Sequence, residues 1–226
     1  MDVIDDMNSD VTDIIIFGAG SHAREILQLI RAINRSNPSW NCLGFAVDKE
    51  YVSSAPREIH DLPVLLIDQL ASEDAFAIVI GVGNPMGREK IVLSLKARGY
   101  NNFPSLVHPN AWVGDGVDIE EGVIIFSGVS ITTDIHIGRH THINLGCTIS
   151  HDTIFGPFTT LGPGVNVSGN VKIGERVDVG TGASIIPKIS IGADCIIGAG
   201  AAVVRSIPPN SVAVGVPARI IKKNLS

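Results

Sequence analysis

This sequence predicts a small α/β domain built on a parallel sheet, followed by a parallel β-solenoid. Three observations carry that reading. Residues 13–107 alternate strand-like apolar runs with stretches of helical periodicity. From residue 113 to residue 203 a large apolar residue returns every six positions without a slip. The chain holds 24 Gly and is 45% hydrophobic but only 5% aromatic, a composition that favours β structure over helix.

Residues 1–12, "MDVIDDMNSDVT", are acidic, lack the basic start and apolar run of a signal peptide, and read as a disordered lead-in. The front domain then spans 13–107. "DIIIF" (13–17) is a buried strand and "GAGSHA" (18–23) a Gly-rich turn. "REILQLIRAIN" (24–34) carries apolar residues at helical spacing. "CLGFAVD" (42–48) is a second strand ending in an acid, and "FAIVIGVGN" (76–84) is a third strand with its turn. "GREKIVLSLKARG" (87–99) is a second helix. Ligands of such sheets bind at the carboxyl ends of the strands, here Gly18–His22, Asp48 and Gly81–Asn84.

The turn Gly18-Ala-Gly20-Ser-His-Ala23 nearly matches the dinucleotide fingerprint, with Ala in third place. Asp48 lies 28 residues beyond Gly20, where the fingerprint places its acid about 20 on. The domain also has only about half of a full Rossmann sheet. A smaller phosphate-bearing ligand on the helix N-terminus, such as a nucleotide-sugar, therefore fits better than a dinucleotide. A turn used only for packing is the plainer alternative. His22 could donate to a phosphate or stand as a solvated surface residue.

The six-residue series runs Val113, Ile119, Ile125, Ile131, Ile137, Ile143, Ile149, Phe155, Leu161, Val167, Ile173, Val179, Ile185, Ile191, Ile197 and Val203. Four residues after each lies a smaller one, from Val117 through Thr141, Cys147 and Thr153 to Ala201. Such a period matches neither an amphipathic helix nor an alternating strand. It matches short strands joined by tight corners, with one large and one small side chain pointing inward per hexad. Three hexads close an 18-residue coil, and coils stack about 4.8 Å apart. Gly often follows the large residue, as at Gly138, Gly156 and Gly162, and is expected to free the backbone at the corner. The solenoid is placed at 108–211, with His108 at its start and a closing segment at 212–226.

A net charge of −6 argues against nucleic acid or an anionic membrane as partner. No apolar run approaches the 18 residues of a membrane span, so no insertion is expected. Cys42, Cys147 and Cys195 have no paired spacing and suit free thiols in a reducing, cytoplasmic compartment.

His151-Asp152 stands two residues after Ile149, in outward or corner phase of the unbroken rhythm. One coil on stands Gly169, which would leave space above His151 open to a ligand. A neutral imidazole there could take a proton from an attacking amine or hydroxyl. Asp152 could orient the ring, provided the corner bends the chain, because neighbours on a strand face opposite ways. Asn144 precedes His151 by seven residues, on an adjoining face of the coil.

The Gly-Ala-x-x-His turn, the short βαβ domain and a solenoid carrying "HD" together resemble the hexapeptide-repeat sugar acetyltransferases of the sialic acid O-acetyltransferase family. The resemblance covers nearly the whole chain after residue 12, including the tail "VAVGVPARIIKK" (212–223). It implies a left-handed parallel β-helix, a homotrimer around the helix axis, and acetyl-CoA as acyl-donor substrate. One branch of that family N-acetylates nucleotide-linked 4-amino-4,6-dideoxy sugars in bacterial glycan biosynthesis; the alternative is O-acetylation of sialic acid or another sugar hydroxyl. The resemblance makes His151 the general base, Asp152 its tuning carboxylate and Asn144 a residue near the acceptor group. It places acetyl-CoA contacts at Thr181, Ala199 and the Gly169 amide, with Thr160 where a branch member has a contacting His. Gly20, Ser21, His22, Asp48, Gly83, Asn84 and Arg88 become nucleotide-sugar contacts.

"HIGRHTH" packs His136, His140 and His142 into seven residues, and three His would suit zinc. Their hexad phases differ, so a solvated, trimer-facing cluster is expected rather than a metal site.

Overall fold

The structure, a computed structural model, describes residues 11–70 and 75–224. Most of the expected lead-in, residues 1–10, lies outside the described residues. The front domain is a five-stranded sheet in the order β3-β4-β2-β1-β5, formed by β1 (Thr12–Phe17), β2 (Trp40–Val47), β3 (Glu58–Ile59), β4 (Leu62–Leu66) and β5 (Ala77–Ile80). All pairings are parallel except the β3–β4 edge hairpin. Helix α1 (Ser21–Ser36) buries Ala23, Ile26, Leu27, Leu29, Ile30 and Ala32 on one stripe, and α2 (Pro85–Ala97) buries Pro85, Arg88, Val92 and Leu95. Three of the five strands and both helices follow the expected spans. The β3–β4 pair falls in a stretch without clear alternation, where Pro63 sits next to the sheet edge.

The second part is a parallel β-helix. Its strands fall into three sheets of six, five and eight strands, and between residues 106 and 203 each strand pairs with the one eighteen residues away, as in Ser130↔Thr148, His136↔Ile154 and His142↔Thr160. The large hexad residues from Ile125 to Val203 are buried, and so are the small ones from Val123 to Ala201, forming a single interior column. Val113 and Ile119, on the first coil, are only partly covered. Each fully buried aliphatic side chain stabilises the column by about 1.5–3 kcal/mol. Leu106–Val107 already pairs with Ile124–Ile125, so the solenoid sheet begins before residue 108. At the far end Ser211–Val214 extends the eight-stranded sheet and Arg219–Lys223 returns antiparallel.

The glycines after the large residues serve a different purpose from the one expected. They do not have positive φ. A Cβ at Gly156 would meet the next coil's backbone at 2.5 Å, and one at Gly162 would meet it at 2.7 Å. They are small because coils stack closely. The left-handed backbone lies two residues further on, at Gly146, Asp152, Phe158, Gly164 and Asn170, with φ between 58° and 68°.

Candidate active site

His151 and Asp152 stand at the corner between the six-stranded and five-stranded sheets, just after Thr148–Ile149. Asp152 has φ 58°, and this left-handed turn supplies the bend that lets adjacent residues meet. Their side chains hydrogen-bond, His151 Nδ1 to Asp152 Oδ2 at 2.7 Å, and both are 56% exposed. With the carboxylate accepting from Nδ1–H, Nε2 is left as an acceptor, lying over Gly169 of the next coil. Gly169 does not leave an empty space. The imidazole lies over it, and a Cβ there would come within 2.6 Å of the ring. Among the described residues the Gly169 N–H makes no hydrogen bond, while its neighbour Asn170 N–H donates to His151 O.

Leu145, Pro163, Thr181 and Ala199 stack at another corner, following the strands of His142, Thr160, Asp178 and Ile196. Thr181 and Ala199 are exposed, and their N–H groups are unbonded among the described residues. Asn144 belongs to this corner. Its Nδ2 donates to Leu161 O at 2.6 Å, and the whole strand Thr148–Ile149 separates it from His151, so one chain does not bring the two together. Thr160 is not at the corner either. It is 8% exposed and its Oγ1 donates to Gly83 O at 2.8 Å, an internal tie between the domains.

At the carboxyl ends of β1, β2 and β5 opens a cleft of about 680 Å³. Gly18, Ala19 and Gly20 form its floor at the start of α1, where Gly20 is the N-cap and no side chain caps the helix. Asp48 lines it, paired with Arg98 Nη1 at 3.0 Å. Glu50, Tyr51, Lys90 and Ile91 also face it, and none of these was marked from the sequence. The signal for Lys90 and Ile91 was their place one turn into the helix after the third-strand turn. Glu50 and Tyr51 lie in a loop with no motif.

Of the expected nucleotide contacts, only Gly20 and Asp48 line this cleft. Ser21 Oγ accepts from Arg24. Asn84 caps α2, its Oδ1 accepting from Gly87 N–H at 2.8 Å. Gly83 contributes its carbonyl to the domain junction. His22 is turned to the solenoid, its Nε2 3.0 Å from His142 Nδ1 and its Nδ1 3.0 Å from Glu25. Arg88 is fully buried. Its guanidinium donates to the carbonyls of Val82, Gly83, His140, Phe158 and Thr159 and to Thr160 Oγ1, so no donor is left for a ligand. Burial lowers its pKa to about 9, against the pull of Asp178.

The front domain rests on the outer face of the eight-stranded sheet, where Leu106, Ile124 and Phe126 join the α1 core and Phe158 joins the α2 core. His140 and His142 lie inside this junction, 1% and 0% exposed, and are not a solvated cluster. His140 stacks on Phe158 and meets the edge of Phe103. Burial, then Lys96, Arg88 and Arg139, lower His140 to about 3; burial, then Arg88, holds His142 well below the usual imidazole range. His136 is apart from them, 2.8 Å from Asp118. Among the described residues no group of three or more His, Cys, Asp or Glu is arranged to hold a metal.

The comparisons agree with this architecture. Residues 13–95 match the PglD N-terminal domain family. GDP-perosamine N-acetyltransferase from Escherichia coli O157:H7 is 31% identical over 139 residues, a match spanning 60% of this chain and 61% of that relative. The acetyltransferase domain of PglB from Neisseria gonorrhoeae superposes with a TM-score of 0.83 at 25% identity, over 93% of this chain and all of that one. A histidine-to-asparagine variant of perosamine N-acetyltransferase from Caulobacter crescentus, in complex with CoA and GDP-perosamine, superposes with a TM-score of 0.82. It is 32% identical and the match covers 93% of this chain and 97% of that one. With a parallel β-helix, a Gly-turn front domain and relatives of this kind along nearly its full length, the chain belongs to the hexapeptide-repeat sugar acetyltransferase family.

Proposed function

We propose that this protein transfers an acetyl group from acetyl-CoA to the amino group of a nucleotide-linked 4-amino-4,6-dideoxy sugar, by direct transfer with His151 as general base. The observation that carries the reading is the exposed His151–Asp152 pair at 2.7 Å, set over Gly169 on a stacked coil. The amine nitrogen attacks the thioester carbonyl carbon and passes its proton to His151 Nε2. The C–N bond forms, the C–S bond breaks, and coenzyme A leaves as its sulfur takes that proton from His151 Nε2. The unbonded Gly169 N–H is the donor to the oxyanion, and Asp152 keeps the ring in the accepting tautomer. The free amides of Thr181 and Ala199 hold the arm of the donor substrate.

The cleft takes the nucleotide, with its phosphates at Gly18–Gly20 and the start of α1. Lys90, exposed and unpaired among the described residues, faces them. At the other end Arg98 binds Asp48 and Asp68, while Glu50 has no partner among the described residues. A free carboxylate complements the adjacent N–H donors of guanine and repels the carbonyls of uracil and thymine. This, with GDP-perosamine in the names of the relatives, favours a GDP-sugar.

The cleft is lined by front-domain residues alone, that domain rests on the eight-stranded sheet, and His151 stands at the corner opposite that sheet. A complete site therefore needs a second copy, and we place it in a homotrimer. The three free thiols and the absence of any membrane-length apolar helix among the described residues fit a cytoplasmic enzyme. An acetyl-CoA assay over GDP-, UDP- and dTDP-linked amino sugars, with free sialic acid alongside, tests the reading. GDP-amino sugar should be the best acceptor. Activity on sialic acid alone would replace it with O-acetylation.

A further inference from the structure

Helix α2 has two working faces. Gly87, Lys90, Ile91 and Ser94 line the cleft. Arg88, Glu89 and Lys96 hold the solenoid, Glu89 through Arg176 at 3.2 Å and Lys96 through Glu121. Arg88 is the most heavily bonded of these. One guanidinium nitrogen, Nη1, takes the carbonyls of Val82 and Gly83, the turn that leads into the cleft, each at 2.9 Å. Nε takes His140 O at 2.8 Å, and Nη2 takes Phe158 O, Thr159 O and Thr160 Oγ1 on the next coil. Thr160 Oγ1 in turn donates to Gly83 O, which closes the web. Val82 itself lines the cleft.

Packing alone does not call for this. The buried stripe of α2 consists of Pro85, Arg88, Val92 and Leu95, and an aliphatic residue at 88 would fill it without moving a charge out of water, which costs several kcal/mol. What an aliphatic residue lacks is direction. A planar guanidinium with five N–H groups fixes the carbonyls it binds in angle as well as distance.

We propose that Arg88 is a positioning residue for acetyl transfer: it locks the cleft turn to the coils of His140 and Phe158–Thr160, and so sets the orientation from which the nucleotide-held amine meets the thioester. This rests on the acetyl-transfer reading above. Reaction rates fall about a hundredfold when reacting groups are misplaced by about 1 Å, so loss of the lock should appear in turnover and not in binding.

Arg88→Met is compared with the unaltered protein using two acceptors, the GDP-amino sugar and a small untethered amine that the cleft does not hold. GDP binding is measured separately by calorimetry. The expected result is a fall in kcat of roughly 10²-fold with the GDP-sugar, while GDP affinity, the KM for acetyl-CoA and the rate with the untethered amine stay within about threefold. Thr160→Val, which keeps shape and removes one node of the web, should give a smaller loss of the same pattern. It carries the test if Arg88→Met does not fold. The inference is overturned if both acceptors lose rate together, if neither does, or if the loss is explained by weaker GDP binding. Failure of the unaltered protein to acetylate any amine would overturn the underlying reading and this one with it.

Discussion

The chemistry proposed for His151 turns on one ring nitrogen. Asp152 engages Nδ1, which leaves Nε2, over Gly169, as the acceptor. His151→Ala should lower acetyl transfer by ~10²–10⁴-fold, with no change in circular dichroism, since the side chain is exposed and holds no other part of the fold. An unaffected rate would remove the base from His151. This pair was legible because a charged His-Asp stands in outward phase at a corner of an Ile-, Val- and Gly-rich tract. Arg88 was expected at the nucleotide-sugar only because the family resemblance implied it, whereas its spacing with Pro85, Val92 and Leu95 puts it on the inner stripe of α2. The helical period, applied to the charged residue as well as the apolar ones, would have placed it inside.

At the scale of elements, the docking of α1 and α2 on the solenoid shows in the outward hexad positions. Most of these are polar, but Leu106 and Ile124 are apolar and buried. Apolarity alone does not mark the covered face, since Trp112, Ile154 and Ile196 hold the same outward phase and are exposed. His142 holds an outward position on the same face, so its burial follows from its strand and not from its chemistry. The junction therefore has a pH dependence of known sign. His140 and His142 are neutral when folded and take up protons readily only on unfolding. Above the unfolded imidazole pKa of about 6.5 this costs nothing. Below it the unfolded chain binds more protons, and stability falls as pH drops toward the folded value of about 3 for His140. Urea midpoints at pH 7.5 and 5.0 should differ, and His140→Phe should reduce the difference. An unchanged difference would place the acid sensitivity elsewhere.

For the whole molecule, the three-sided cross-section was readable from the period, while the docked sheet face shows only in the burial. The proposed partnership between copies leaves no mark in the repeat, because no single hexad encodes which corner faces which neighbour. Mixing tests it. His151→Ala spoils the corner, and Ala55→Trp fills the cleft that Ala55 lines. Each variant should be inactive alone. Refolded together at equal amounts, about a quarter of the interfaces in a cyclic trimer pair a sound cleft with a sound corner, and activity should return to that level. No recovery would place both halves of the site in one chain.

The left-handed position that recurs every six residues also bears on how such a site can arise. Gly, Asp and Asn hold most of these positions, the residue types that tolerate this backbone best. Asp152 is one of them, so the scaffold already favours a carboxylate or amide immediately after each corner residue. A histidine arising at an exposed corner thus finds a short polar neighbour in reach without any new turn. In a coil of this kind, one substitution can found a proton acceptor, because the geometry of its companion is inherited from the repeat.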